Sequence, residues 1–197
     1  GFARQNWFEP VGREAATLRN AVGVIDISNF GKYEVTGPGA GDWLDALVAN
    51  HVPREIGKSC LTPLIGMRGG VAGDFTITMT GDESYMMIGS GMAERYHRRF
   101  FDMVPLPDGT GFEVATPRIA GFNVAGPRSR EMLAGLTDAD LSNEGWRFMR
   151  SRRIAVGGVD CLAIRVSFTG DLGWELHCAV DDQVALYEIL LDAAAAH

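Results

Sequence analysis

Hydrophobic residues recur along the chain with two different periods, and the period predicts the type of each element. Recurrence at every third or fourth residue predicts helices near residues 13–22, after Gly37-Pro38, over 92–104, after Gly126-Pro127 and over 183–195. Short apolar or alternating runs predict strands over 24–27, 32–36, 59–65, 71–80, 84–89, 112–116, 119–125, 151–156, 160–168 and 173–180. Because no regular strand–helix–strand rhythm runs through this order, we expect an α+β fold with mixed, mostly antiparallel sheets and flanking helices.

Two stretches of the chain resemble each other. Glu34-Val35-Thr36-Gly37-Pro38 and Asn123-Val124-Ala125-Gly126-Pro127 each close a predicted strand and lead into a predicted helix. A common strand–Gly–Pro–helix connection that occurs twice by chance explains this pattern. A duplicated unit explains it as well, and predicts two similar lobes, at about 11–110 and 111–197, with a ligand crevice between them.

Charge and composition exclude several classes of function. The chain has 197 residues and a net charge of -7, whereas a nucleic-acid-binding protein needs a basic face to displace counterions. The apolar runs are far shorter than the roughly 20 residues of a membrane span. Cys60, Cys161 and Cys178 form no CxxC pair, so we expect no disulfide framework, no zinc site and a reducing compartment. We therefore expect neither a nucleic-acid partner nor a membrane partner.

Asp74 lies inside a predicted strand that alternates strictly. One face of this strand consists of Phe75, Ile77 and Met79, and the other of Asp74, Thr76 and Thr78. Aspartate is disfavoured within strands because its side chain competes for backbone hydrogen bonds. An acid at this point therefore suggests a polar cavity, and a solvent-facing Asp on an ordinary two-faced strand is the alternative.

Glu175 has a similar setting in the strand predicted after residue 172. Trp174, Leu176 and Cys178 form its apolar face, and Glu175 and His177 share the other. The preceding loop, 168–173, is bracketed by glycines that allow a backbone to approach a ligand closely. A surface Glu is the alternative interpretation, and His177 is a weaker candidate for lining the same site.

The other motifs are less specific. Gly89-Ser90-Gly91 begins like a dinucleotide fingerprint, but Glu94 stands where the third glycine belongs. Because this segment follows a strand and opens a helix, it could still hold a ligand. The helix predicted over 92–104 carries Met92, Tyr96, Phe100 and Met103 on one side, and we expect His97 and His197 at the surface. The four histidines have no metal-ligand spacing, so we expect no metal site.

Several segments resemble, in the same order, the aminomethyltransferase (glycine-cleavage T-protein) family. They include Val24-Ile25-Asp26-Ile27-Ser28, Leu61-Thr62-Pro63-Leu64, Val124-Ala125-Gly126-Pro127-Arg128-Ser129 and Arg165-Val166-Ser167-Phe168-Thr169-Gly170-Asp171-Leu172-Gly173-Trp174-Glu175. Within that family, Asn29-Phe30-Gly31-Lys32-Tyr33, Gly73-Asp74-Phe75-Thr76 and Gly89-Ser90-Gly91 are similar to the folate-binding domain of the dimethylglycine and sarcosine dehydrogenases. The resemblance implies the aminomethyltransferase folate-binding fold over 11–197, without the family's C-terminal barrel part.

The resemblance also implies roles for two carboxylates. Asp74 matches the family's catalytic acid, which hydrogen-bonds the reacting nitrogens of tetrahydrofolate. A carboxylate there can accept the proton released when an iminium carbon is captured. Glu175 matches the acid that binds the aminopyrimidine edge of the pterin, where two N–H donors suit a bidentate carboxylate.

Other positions depart from the family's pattern. Phe168 stands where many members have Tyr beside the pterin, and Leu61 replaces an aromatic residue of some relatives. Ser90 falls near an Asn used by others, and Gly73 replaces the first acid of the T-protein's acidic pair. The implied folate-binding residues are Glu175, Phe168, Leu61, Thr76, Ser90 and Arg165. These departures keep a folate site plausible and put the glycine-cleavage reaction in doubt.

The start of the chain implies a partner. Residues 1–10, beginning Gly1-Phe2-Ala3-Arg4, are similar to the linker that joins a flavin domain to the folate domain in the dehydrogenases. The resemblance thus implies tetrahydrofolate as the cofactor of this domain, with FAD only in an upstream domain. It implies association, covalent or between subunits, with an FAD-dependent dehydrogenase. The expected location is the bacterial cytoplasm, or the mitochondrial matrix in a eukaryote.

The expected reaction is capture of the carbon of an oxidised N-methyl amine, delivered as an iminium, to form 5,10-methylenetetrahydrofolate. Methyl transfer to tetrahydrofolate from an O- or S-methyl donor is an alternative, and so is a non-catalytic folate-binding or structural module. Iron–sulfur maturation proteins of the family carry a Cys in a Lys-Gly-Cys-Tyr type motif. The corresponding loop here, Phe168-Thr169-Gly170-Asp171, has no Cys, which counts against such a role.

Overall fold

The computed structural model describes residues 3–197. Its strands are β1 (Gly23–Asp26), β2 (Gly31–Thr36), β3 (Ser59–Ile65), β4 (Val71–Gly81), β5 (Ser84–Gly89), β6 (Gly111–Val114), β7 (Ile119–Ala125), β8 (Ser151–Val156), β9 (Val159–Ile164) and β10 (Gly173–Ala179). Its helices are α1 (Phe8–Asn20), α2 (Ala40–Leu47), α3 (Glu94–Phe101), α4 (Ser129–Ala134) and α5 (Gln183–Ala194), with 3₁₀ turns at Gly91–Ala93 and Val180–Asp182.

The strands form two five-stranded sheets, in the orders β1-β7-β10-β9-β8 and β3-β4-β5-β2-β6. The pairs β1–β7, β9–β10, β3–β4, β4–β5, β2–β5 and β2–β6 are antiparallel. The predicted α+β class with mostly antiparallel sheets is therefore confirmed. No helix within residues 3–197 is long and apolar enough to cross a membrane.

The chain divides into two compact units that exchange segments along the sequence. One consists of the chain up to residue 27 together with 121–148 and 153–197, and the other of 28–120 and 149–152. The first strand belongs with the C-terminal segments because β1 pairs with β7, from Gly23 opposite Ala125 to Asp26 opposite Phe122. The predicted lobes, by contrast, divide the chain once near residue 110.

The beginning of the chain contains more helix than the sequence predicts. Helix α1 begins at Phe8 rather than near residue 13, so residues 8–10 of the predicted linker are helical. Residues 1 and 2 of that linker lie outside the described part of the chain. Its role as a connection to a flavin domain stays a prediction.

The buried side of α3 differs from the apolar side predicted for this helix. The structure buries His97 and Phe101, whereas Met92 is fully exposed and Tyr96 and Met103 are about half exposed. A 3₁₀ turn, with its tighter winding of about three residues per turn, precedes α3 and separates Met92 from the helix. Within the helix, Tyr96 and Phe100 do lie on the same side, with their ring centroids 5.1 Å apart. Met103 also lies beyond the end of the helix at Phe101.

One hydrophobic core fills the unit that contains residues 28–120. Side chains from one face of β2, β4 and β5 meet α2 and α3, and the aromatic members contact one another edge to face or tilted. The largest members include Tyr33, Trp43, Phe75, Met87 and Phe101. On the opposite face, β4 carries Asp74, Thr76 and Thr78, whereas β5 carries the buried Met86 and Ile88.

The two Gly–Pro connections have the same backbone form. Gly37 has φ +102° and Gly126 has φ +124°. In each connection the amide three residues later donates to the glycine carbonyl, at 3.1 Å for Ala40 and at 3.1 Å for Ser129. This similarity supports the duplicated-unit hypothesis, which predicts the same connection in both halves.

Gly126 gives a direct test of this connection. A Cβ at Gly126 would lie 2.5 Å from the carbonyl oxygen of Ala21 and 2.6 Å from that of Leu18, in addition to the unfavourable positive φ. We expect Gly126→Ala to lower the free energy of unfolding by more than about 2 kcal/mol. Gly12→Ala is the control, because a Cβ there meets nothing within 4 Å and Ala favours the helix by about 0.5–1 kcal/mol. Equal urea midpoints for the two variants would contradict the strained connection.

Candidate functional site

Four of the predicted site residues come together at one end of the sheet that contains β4. Leu61 of β3 pairs with Thr76 of β4, and Pro63 pairs with Asp74. Directly opposed residues of an antiparallel pair share one face, so Leu61, Thr76 and Asp74 lie on the same face. Phe75 pairs with Gly89 at the end of β5, so the register brings Ser90, the next residue, level with Asp74.

The Asp74 carboxylate is exposed at this end of the sheet. Phe75, the next residue, points to the other face and is only 1% exposed. Leu61 is 56% exposed and Ser90 is exposed as well. In this environment the acid is accessible to a ligand, so the solvent-facing alternative describes its surroundings correctly.

His97 is buried behind this strand, contrary to the surface position that the sequence predicts. It is 1% exposed, its Nδ1 lies 3.4 Å from the Tyr33 hydroxyl, and its ring centroid lies 4.7 Å from that of Phe75. Burial lowers the pKa of His97, and the Asp74 charge acts in the opposite direction. The prediction was wrong because the adjacent Arg98 and Arg99, which are exposed, make the segment look like a solvated helix face.

His97 also accounts for the glycine at position 73. A Cβ at Gly73 would lie 2.5 Å from His97 Nε2 and 3.0 Å from Cδ2. Real Cβ atoms are not found this close to other heavy atoms, so the imidazole occupies the space that a side chain would need. The absence of a second acid before Asp74 is therefore required by packing in this chain.

Double-mutant analysis tests this packing. We expect Gly73→Ala alone to cost about 1–3 kcal/mol of unfolding free energy, because the added methyl group collides with the ring. In a His97→Ala background the same substitution should cost less than about 0.5 kcal/mol, since the obstacle is gone. Urea unfolding of the four proteins gives the coupling energy. Additive effects would show that His97 does not restrict position 73.

The glycines around Ser90 also have a packing explanation. A Cβ at Gly89 would lie 2.5 Å from Phe75 Cε1, and one at Gly91 would overlap the carbonyl oxygen of Asn29. Lys32 stabilises the turn that contains Asn29. Its side chain is fully buried, and its Nζ donates to the carbonyl oxygens of Ser28 and Phe30, each at 3.0 Å. The resemblance of 89–91 to a dinucleotide fingerprint thus follows from close backbone packing.

No pattern in the sequence indicates that Lys32 is buried. Tyr33 and Val35 form the apolar face of the predicted strand, and Lys32 lies on the other face. The pattern therefore predicts that Lys32 is exposed to solvent. A lysine is rarely fully buried unless its ammonium group is paired. Here two backbone carbonyl oxygens accept hydrogen bonds from the ammonium group.

Glu175 lies in the other unit and is buried. It is 6% exposed on β10, a strand buried over nearly its whole length, which rules out the surface alternative. His177 is 3% exposed, and its Nε2 lies 3.3 Å from Glu175 Oε2. Among residues 3–197, this is the one hydrogen bond of the Glu175 carboxylate. A buried carboxylate normally accepts several hydrogen bonds, so much of its accepting capacity is unused.

Several polar atoms of the same unit are buried without a hydrogen-bond partner in the described part of the chain. They include His177 Nδ1, Asn123 Oδ1, Thr169 Oγ1 and Asp171 Oδ2. Thr169 and Asp171 belong to the glycine-bracketed loop that precedes β10. Buried polar groups are normally paired with protein, water or ligand, and Asp171 Oδ2 also lies 4.0 Å from Arg19 Nε.

Phe168 and Arg165 have different environments. The Phe168 side chain is 72% exposed at the start of the loop. The Arg165 guanidinium donates to the carbonyl of Trp146 and to Asn143 Oδ1, and it lies 5.7 Å from the ring of Trp174. Trp174 points to the face opposite Glu175, so the geometry does not bring Arg165 to the Glu175 face.

Neither the lining of a surface depression nor the cysteines include predicted site residues. A surface depression of about 690 Å³ is lined by 134–139, Ile154, Ala155 and Gly158. Within the described residues, no group of three or more His, Cys, Asp and Glu side chains is arranged to hold a metal ion. Cys60, Cys161 and Cys178 are unpaired thiols, and burial raises the pKa of Cys161 to about 12.

The fold places the chain in a known structural class. It superposes on the glycine cleavage system aminomethyltransferase T from Bartonella henselae with a TM-score of 0.78 and 22% identity, covering 91% of this chain and 48% of that one. A chain of heterotetrameric sarcosine oxidase from Corynebacterium sp. U-96 gives a TM-score of 0.73 and 14% identity, covering 98% and 95%. The protein therefore has the aminomethyltransferase fold.

The chain belongs to the GCVT N-terminal domain family, whose profile matches residues 1–197. It is 34% identical over 194 residues to mitochondrial dimethylglycine dehydrogenase of Rattus norvegicus, covering 98% of this chain and 22% of that protein. It is 28% identical to an aminomethyltransferase of Thermoanaerobacter sp. (strain X514), covering 98% and 52%. The predicted family is confirmed, and the chain spans 22% of the length of the dimethylglycine dehydrogenases it matches.

Proposed function

We propose that this chain binds tetrahydrofolate and captures on it the carbon of an oxidised N-methyl amine, as 5,10-methylenetetrahydrofolate. The observation that carries the proposal is the buried Glu175 carboxylate, whose one hydrogen bond within residues 3–197 comes from His177. A buried anion with unused acceptor capacity suits a ligand with several N–H donors. The aminopyrimidine edge of a pterin has such donors side by side, and a carboxylate can accept two of them at once.

Asp74 is the candidate catalytic residue of the proposal. Tetrahydrofolate supplies two nucleophilic nitrogens, N5 and N10, that together take up one carbon at the oxidation level of formaldehyde. Their two N–H protons must leave, one with the departing amine and the other to a base. The exposed Asp74 carboxylate is accessible to such a proton and can stabilise passing positive charge. Leu61, Thr76 and Ser90 on the same edge would form the surroundings of the reacting nitrogens.

The relatives support an N-methyl amine as the source of the carbon. They include dimethylglycine dehydrogenase, sarcosine dehydrogenase of Homo sapiens and a 4-methylaminobutanoate oxidase (formaldehyde-forming) of Paenarthrobacter nicotinovorans. Each of these names describes oxidation of an N-methyl compound, and one of them names formaldehyde as a product. We therefore infer association of this chain with an FAD-dependent dehydrogenase, in a bacterial cytoplasm or a mitochondrial matrix.

Glu175→Gln tests the pterin contact. We expect calorimetric titration with 5-formyltetrahydrofolate to give saturable binding, weakened about 100-fold or more by the substitution, because two charge-assisted hydrogen bonds are lost. Glu188→Gln, which changes an exposed glutamate of α5 in the same unit, is the matched control and should bind like the unchanged chain. Equal binding by a folded Glu175→Gln protein would contradict the proposed contact, and no binding by the unchanged chain would contradict the proposed function.

Asp74→Asn tests the chemical step. In a protein that joins this chain to an amine dehydrogenase, we expect the rate of amine oxidation to be unchanged. The carbon should instead leave as free formaldehyde, with at least about a tenfold loss of 5,10-methylenetetrahydrofolate, because the proton acceptor is missing. Asp82→Asn, an exposed position in the turn after β4, is the control. An unchanged product ratio would assign this chain a binding or structural role, and 5-methyltetrahydrofolate as product would favour methyl transfer.

A further inference from the structure

The Glu175 carboxylate has a neighbour to which the family resemblance assigns no role. Glu175 and His177 are two residues apart on β10, so their side chains share one face of the strand. Their nearest polar atoms, Glu175 Oε2 and His177 Nε2, are 3.3 Å apart, and both side chains are more than nine-tenths buried. We propose that His177 is a positioning residue that fixes the Glu175 carboxylate for the pterin, an inference that rests on the proposed function.

The direction of this hydrogen bond follows from the chemistry of the two groups. An ionised carboxylate can only accept, so His177 Nε2 must carry the proton that it donates to Glu175. The other ring nitrogen, Nδ1, is buried and has no hydrogen-bond partner within residues 3–197. A cationic ring would add an N–H at Nδ1 that would be buried without an acceptor, whereas a neutral ring leaves only a lone pair there. The geometry therefore favours a neutral imidazole with its proton on Nε2.

The missing side chain of Gly121 leaves room for the imidazole in this orientation. A Cβ at Gly121 of β7 would lie 2.8 Å from His177 Nδ1 and 3.2 Å from Cε1. The ring thus packs against the backbone of the neighbouring strand at Gly121, and a side chain at this position would collide with it. A side chain at position 121 would therefore displace the ring whose Nε2 faces Glu175.

A buried amide side chain, that of Asn123, fixes the backbone next to the carboxylate. Asn123 of β7 is fully buried, and its Nδ2 donates to the carbonyl oxygen of Trp174 at 3.3 Å. Trp174 immediately precedes Glu175. The backbone is therefore held by Asn123 and the carboxylate by His177, which leaves the remaining lone pairs of Glu175 for a ligand. Such preorganisation reduces the entropy lost when the ligand binds.

The affinity test compares variants that keep or remove the donor. We expect His177→Leu to raise the Kd for 5-formyltetrahydrofolate about 10- to 30-fold, the effect of losing one hydrogen bond to a charged group. His177→Gln, whose amide can still donate to Glu175, should recover binding to within about threefold of the unchanged chain. Gly121→Ala should weaken binding in the same direction as His177→Leu, because it displaces the ring. His51→Leu, at a fully exposed side chain, and Gly135→Ala, where a Cβ meets only ordinary contacts, are the controls.

A structural role for His177 would give a different pattern. Circular dichroism and urea unfolding establish that each variant is folded. If His177→Leu binds like the unchanged chain, or if His177→Gln binds as weakly as His177→Leu, the positioning role is wrong. In the Glu175→Gln background, removal of the histidine should have no further effect on Kd, and a full additional loss would also overturn the role.

The tautomer gives a readout that does not depend on folate. The chain has four histidines, so ¹⁵N-histidine labelling can resolve the His177 ring, with His177→Gln to assign it. We expect a neutral ring protonated at Nε2 in the ligand-free protein and a shift of these signals on addition of 5-formyltetrahydrofolate. A neutral ring with its proton on Nδ1 would overturn the inference, because Nε2 could then not donate to Glu175. Failure of the unchanged chain to bind folate, with the expected tautomer present, would instead identify the proposed function as the error.

Discussion

The register of β4 between β3 and β5 is the constraint on which the unit around residues 28–120 depends. Pairing of Thr76 with Leu61, and of Phe75 with Gly89, decides which side chains enter the core and which remain accessible. A slip of one residue would bury Asp74 among aromatic side chains and expose Phe75. The aromatic core thus determines the position of the acid, although none of its members needs to contact a ligand.

The two carboxylates of interest have opposite environments. Asp74 is exposed at the end of a strand, whereas Glu175 is buried on a strand that is covered over nearly its whole length. In the proposed function these environments suit different tasks, since a proton acceptor must exchange its proton and a recognition group must stay ionised and oriented. A buried carboxylate requires compensation for its lost hydration, which here begins with the hydrogen bond to His177.

Both units contain a histidine ring seated on a glycine of a neighbouring element. His97 lies against Gly73, and His177 lies against Gly121. In each case the glycine is needed because the ring occupies the space of its missing side chain, and a carboxylate of the candidate site is close by in the sequence. The glycine content of these strands therefore reflects close packing around buried imidazoles more than a need for flexible backbone.

The sequence by itself determined most of the strands, the fold class and the family. Short apolar or alternating runs over 59–65, 84–89, 119–125 and 151–156 predicted the bounds of β3, β5, β7 and β8, whereas the strand predicted over 160–168 ends at Ile164. Alternation over 71–80 and 173–180 assigned Asp74 and Glu175 to polar faces, because a strand's two faces are encoded by neighbouring residues. Only the tertiary structure decided whether such a face meets water or protein, and it buried Glu175, His177, His97 and Lys32 while exposing Asp74. Burial depends on contacts between residues far apart in the chain, and local periodicity carries no information about those contacts.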